Sequence, residues 1–317
     1  MISLRAHVVT IVAVFLALAI GLLVGGAFVD PVLEQQLRDR TEDLLADNGN
    51  LRSDLDDVRA ELEELRRQVG SVDAFADVAL PYLAGGRLLG ASVVLITDEG
   101  LEDTVLGQAQ RALAEADANL VAVISARGEI TSEDPATQER LVEILDLVGD
   151  GTDTGPEELP ARTAEALAIR LANGDDGAEP SDDVLAQLLS AGFLAPVGAG
   201  VSEATLDEIG SPGQVVVVLA GGQEAEPAVL PETFAVPLVR DLAELGVPVA
   251  AGESATTAIP FVALVRDGGI DGLVTVDDLD LSMGGAALVL GLDRLLSLGE
   301  GGAYGIKEGA RLLPAPP

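Results

Sequence analysis

Gln214-Val215-Val216-Val217-Val218-Leu219-Ala220 is the stretch whose reading decides the fold. Its aliphatic residues run without alternation, so neither face is set aside for water. Gly221-Gly222 closes the run at strand length. A strand buried on both faces suits a parallel sheet covered by helices on both sides. Working outward, 92–97, 120–125, 247–251 and 273–276 read as companion strands. Helical patterns over 101–117, 135–148, 157–172, 182–191, 232–245 and 282–298 alternate with them. The expected class is α/β, a doubly wound (Rossmann/flavodoxin-like) parallel-sheet domain over 76–317. Segments 150–160 and 174–180, rich in Gly, Pro and acids, read as loops.

Upstream the period changes. Leu37, Leu44, Leu51, Val58, Leu65 and Val72 recur every seven residues, and Thr41, Asn48, Leu55, Leu62 and Val69 form a second series three residues ahead. This is the a/d pattern of a left-handed coiled coil, predicted over 30–72. In a parallel dimer, g of one strand meets e of its partner: Asp47 with Arg52, Asp54 with Arg59, Glu61 with Arg66. Every pair is opposite in charge, whereas an antiparallel pairing sets mostly like against like. Asn48 at an a position fixes register and favours two strands. The expected interface is Leu37, Leu44, Asn48, Leu51, Leu55, Val58, Leu62, Leu65 and Val69. Asp30-Pro31 supplies an N-cap and an N1 proline for this helix, and Gly70-Ser71 reads as its exit.

Residues 8–28 carry no charge, and Thr10 is their most polar side chain. At about 1.5 Å per residue they span roughly 31 Å, the thickness of a bilayer core. Arg5 and His7 precede them, which predicts residues 1–7 in the cytoplasm and everything beyond residue 30 outside it. A cleaved leader ending near Gly25-Gly26-Ala27 is the alternative. Gly21 and Gly25 form a GxxxG pair that lets two membrane helices approach closely.

The chain of 317 residues has a net charge of −35, from 53 acids and 18 basic residues. Residues 1–70 hold 12 acids and 7 bases, which leaves 41 and 11, or −30, for 71–317. So anionic a domain excludes nucleic acid as a partner and disfavours docking on anionic lipid. Cysteine is absent, and His7 is the sole histidine, so disulfides, thiol chemistry and a Ser-His-Asp triad are excluded. Ser254 lies in Gly252-Glu253-Ser254-Ala255-Thr256, which lacks the second glycine of a nucleophile elbow. No P-loop is present, and no GxGxxG follows the first strand. The chain reads as non-enzymatic and without a resident cofactor.

Ligands of such sheets bind beyond the carboxyl ends of the strands. The sequence places Asp98, Ser125, Gly221, Gly222, Glu253, Asp277 and Asp278 there. Asp98, Asp277, Asp278 and Asp280 make a candidate cation or partner site of oxygen ligands. A solvated loop, with Asp280 or Ser282 capping the next helix, is the alternative. Tyr304 and Lys307, the only lysine, sit between glycines in 302–310 and form a candidate partner contact; a turn closing the domain is the alternative.

The chain also resembles the MctB-like family of actinobacterial envelope proteins. The likeness is carried by Met1-Ile2-Ser3-Leu4-Arg5-Ala6-His7, by Val14-Phe15-Leu16-Ala17-Leu18-Ala19-Ile20-Gly21, by the heptads, by Thr275-Val276-Asp277 and by Tyr304-Gly305-Ile306-Lys307. It implies copper transport or homeostasis, with an outer-membrane location; some relatives are similar in acting as coiled-coil partners in cell separation. Copper prefers thiolate, thioether or imidazole, and beyond the membrane segment Met283 alone offers any of these. The residues therefore predict first a dimeric envelope adaptor in cell-wall processing or cell separation, presenting its α/β domain to an envelope protein. A copper transport component is the alternative.

Overall fold

A computed structural model describes residues 4–27, 31–146, 155–174, 181–198, 203–222 and 228–315. The chain divides into two compact units, Met1–Gly70 and Ser71–Pro317.

The first unit is helical. α1 spans Leu4–Ala27, and its segment His7–Gly25, with a mean hydropathy of 2.9, is long and apolar enough to cross a membrane. α2 begins at Pro31 and runs as one helix to Ala84, so the heptad stretch is helical. Its apolar residues Leu44, Leu51, Leu55, Val58, Leu62, Leu65 and Val69 are each 45–66% exposed in the single chain. Phe28, the Asp30 cap and the side chain of Leu37 lie outside the described residues.

The expected exit at Gly70-Ser71 is not taken: the helix continues for 14 more residues. A glycine costs a helix about 1 kcal/mol. Here Ala76, Leu80 and Ala84, spaced four apart, are buried in the second unit. Burial of Leu80 alone stabilises by about 1.5–3 kcal/mol, which outweighs the glycine.

The second unit is built on seven strands: β1 Ser92–Asp98, β2 Asn119–Ala126, β3 Leu194–Pro196, β4 Val215–Leu219, β5 Val249–Gly252, β6 Val274–Val276 and β7 Gly302–Tyr304. Their order is β3-β2-β1-β4-β5-β6-β7. All neighbours are parallel except β3, which lies antiparallel on β2. Helices α3 Asp103–Glu115, α4 Pro135–Asp146, α5 Leu159–Asn173, α6 Val184–Ser190, α7 Glu203–Glu208, α8 Ala235–Glu244, α9 Val262–Asp267 and α10 Ser282–Leu298 connect them.

Both faces of the sheet are covered, as the valine run requires. Val215, Val217 and Leu219 point into a core shared with α3, α10 and the end of α2. Val216 and Val218 point the other way, into a core built by α4, α5, α6, α8 and α9. All five are at most 1% exposed. On the second face Arg170 and Asp183 form an enclosed ion pair at 2.7 Å, and Arg170 also donates to the carbonyls of Leu206 and Ile209. This clamp ties α5, α6 and α7 together.

Candidate functional site

Because six strands are parallel, their carboxyl ends share one edge of the sheet. Asp98 ends β1, Gly221-Gly222 follow β4, Glu253 follows β5, Asp277-Asp278 follow β6, and Gly305 to Lys307 follow β7. Ser125, one residue before the end of β2, pairs in register with Thr97.

A chain of polar contacts crosses this edge. The Gly221 N–H donates to Asp98 Oδ2 at 3.1 Å. Gly221 itself, at φ +90°, has no room for a Cβ between Thr257 and Ile259. Glu253 is fully buried; its Oε2 accepts from the Phe261 and Val262 N–H groups at 2.6 and 3.0 Å, satisfying the start of α9. Its Oε1 accepts from Lys307 Nζ at 2.8 Å, and the ammonium also donates to the Ser254 carbonyl. Asp277, also fully buried, accepts from Arg266 Nη1 at 2.7 Å and from the Ile306 and Lys307 N–H groups at 2.8 and 3.0 Å. Arg266 reaches on to Thr275 Oγ1 and to the Tyr304 carbonyl. Gly305, at φ +123°, lets the backbone curl over Asp277; a Cβ there would overlap the carboxylate.

Asp278 is different. It is 0% exposed, and neither carboxylate oxygen has a hydrogen-bond partner. Burial, followed by the neighbouring Asp277 and Asp280, pushes its carboxyl up to about 7. Burial likewise pushes Asp98 up to about 7, against the opposing Gly221 N–H, and its Oδ1 is also unpartnered.

The four candidate cation ligands are thus held separately. Asp98 is tied to Gly221, Asp277 to Arg266, and Asp280 Oδ1 to the Ala255 N–H at 2.6 Å. Among the described residues no three acidic or histidine side chains form a group able to hold a metal ion. The expected caps also move. α10 starts at Ser282 without a side-chain bond from its own flank. Its Ser282 N–H instead donates to Asp73 Oδ1 on α2 at 2.7 Å, and Ser282 Oγ to Asp77 at 3.3 Å. This cap spans 209 positions in sequence, so local spacing carried no sign of it. Tyr304, expected at a partner contact, is 4% exposed and packs on Gly291; Lys307 is turned inward on Glu253. Arg266, absent from the expected site, is its main positive charge, and nothing in the sequence around it marked it out.

The family model described as copper transport outer membrane protein, MctB, matches residues 1–314. Proteins named copper transporter MctB from Mycobacterium tuberculosis and Mycobacterium bovis are 26% identical over 325 residues, covering 98% of each chain. One of the same name from Mycobacterium leprae is 26% identical over 334 residues, covering both chains in full. These findings overturn the expectation of an adaptor in wall processing or cell separation, which rested on the lack of soft copper ligands. That lack restricts how a protein touches copper, not whether it belongs to a copper pathway. The match covers apolar helix, heptads and sheet domain alike, and the chain belongs to the MctB family.

Proposed function

We propose that this protein is a membrane-anchored, non-enzymatic component of copper transport or copper homeostasis. The observation that carries the reading is the family match over residues 1–314, since it takes in every segment rather than one widespread fold. Relatives named copper transporters cover at least 98% of their own length and of this chain.

The sheet domain has no cysteine and no histidine, so neither thiolate nor imidazole holds copper there. Its contribution is a field rather than a cage. A charge of −30 over residues 71–317 raises the local concentration of cations and steers them toward the surface. Cu(II), which carboxylate and carbonyl oxygens can meet in fast, weak exchange, fits that surface better than Cu(I).

In the same reading α1 spans a membrane with residues 1–7 in the cytoplasm and the sheet domain outside it. The heptads of α2 pair in a parallel dimer, supported by the three opposite g–e charge pairs and by the exposed a/d side chains. The order of the parallel strands reverses once, between β1 and β4, as in doubly wound flavodoxin-like sheets. The test is cellular copper. A strain lacking the protein should differ in cell-associated copper and copper tolerance from the same strain complemented with the full chain. Equal copper content in the two strains contradicts the reading.

A further inference from the structure

We infer that Asp278 is a proton-binding site: the turn between β6 and α10 holds its carboxyl as the neutral acid, and ionisation releases the first turn of α10 from the end of α2.

The argument starts from enclosure. Asp278 is 0% exposed with both oxygens unpartnered, while Asp277, equally buried, accepts from three donors. A charged carboxylate so enclosed lacks the donors that would replace its hydration. A proton is small enough to reach such oxygens, and no three metal-capable side chains converge among the described residues.

The neighbouring carboxylates act in the same direction as burial, and Arg266 acts against them. From its own loop Asp278 faces Asp277 and Asp280; from α9 comes Arg266, already spent on Asp277. At the β5 end Glu253 and Lys307 neutralise each other. From α2, Asp73 and Asp77 hold Ser282 at the start of α10, and from α3 the uncharged Gln108 donates to Ser282 Oγ at 3.0 Å. Asp77 is itself paired with Arg111 of α3 at 2.8 Å, so the charges acting on Asp278 are Asp277 and Asp280, which favour the proton, against Arg266. Gly284 keeps the first turn of α10 against the acid: a Cβ there would overlap the Asp278 carbonyl and crowd its Oδ1. Ionising Asp278 puts an unpaired charge directly beneath that turn. Opening the turn hydrates the charge, at the expense of the Ser282–Asp73 and Ser282–Asp77 bonds. The value near 7 sets the transition around neutrality.

The experiment compares full-length wild type with Asp278→Asn in detergent micelles by hydrogen exchange, corrected for intrinsic rates. In wild type, protection of the amides of residues 73–84 and 282–288 should fall about tenfold between pH 6 and pH 8, because only the one unit below the folded value of about 7 carries a slope and the curve is flat above it. Asp278→Asn should stay flat, and Asp280→Asn should keep the fall. An equal fall in wild type and Asp278→Asn overturns the proposal, as does loss of the fall in Asp280→Asn. A second measurement holds even if Asp278→Asn folds poorly. The infrared carbonyl band of a protonated, enclosed carboxyl should be present in wild type at pH 6, reduced at pH 8, and diminished at pH 6 in Asp278→Ser. Asp98 supplies a second such carboxyl, so a band undiminished in Asp278→Ser overturns the proposal whatever its response to pH.

Discussion

Asp277 and Asp278 are neighbours in sequence, equally buried, and opposite in condition. On the β6–β7 side Asp277 sits in a socket of Arg266 and two backbone N–H groups. On the β6–α10 side neither carboxylate oxygen of Asp278 is met by a side chain or by the backbone of another residue. A carboxylate tolerates burial when its charge is matched; without a match it keeps its proton. The contrast lies in the partners: Arg266 and the Ile306 and Lys307 N–H groups converge on Asp277, and none of them reaches Asp278.

The widest separation between the two corners comes from Asp277→Ala. It leaves the Arg266 guanidinium facing the core without its partner, and denaturation should show a loss of about 3–5 kcal/mol. Asp277→Ala at less than 1 kcal/mol would mean that the socket is not closed in solution.

The second effect is pH dependence. Asp98 and Asp278 have folded-state values of about 7, above the free value of 3.8. Protonation therefore stabilises the fold. The contribution is complete below about pH 4 and is lost as pH rises through about 7; about three units correspond to about 4 kcal/mol per group as an upper bound. Asp98→Asn should remove its share of this slope and leave the protein more stable at pH 8 than wild type. Thermal melts between pH 4 and pH 8 check it, and an unchanged slope would place Asp98 in contact with water. Smaller again is Gly305→Ala, which forces a side chain into the left-handed backbone above Asp277. We expect a loss of about 1–3 kcal/mol by the same melts.

Much of this contrast lay beyond the reach of the sequence. Val215 to Leu219 announced a sheet covered on both faces, and the acids after β1 and β6 fell at the strand ends where parallel topology puts them. Strands β3 and β7 escaped although β6, equally short, did not, because β6 lies in the apolar run Leu273-Val274-Thr275-Val276 and the other two lie in no such run. Leu194–Pro196 ends in a proline, and Gly302–Tyr304 lies in a glycine-rich run that reads as a turn. The continuation of α2 past Gly70 was set by burial of Leu80 and Ala84, a tertiary effect with no local signal. Which acid is paired was equally hidden: Arg266 lies 11 positions from Asp277, Lys307 lies 54 from Glu253, and Asp73 lies 209 from Ser282.

The smallest expected effect belongs to the first unit, whose apolar seam is exposed rather than buried. Asn48→Leu replaces the polar a residue, so the melting temperature should rise by an amount corresponding to about 1 kcal/mol while sedimentation shows a less strictly dimeric species. A monomer before and after the change would contradict the paired seam.

The central claim is that the sheet domain meets copper through a field of charge and not through a coordination cage. Titration of the full-length protein with Cu(II) at low and high salt tests it most directly. The account predicts weak, multi-site binding that weakens steeply as salt screens the −30 charge. Tight one-to-one binding that salt leaves unchanged would contradict it.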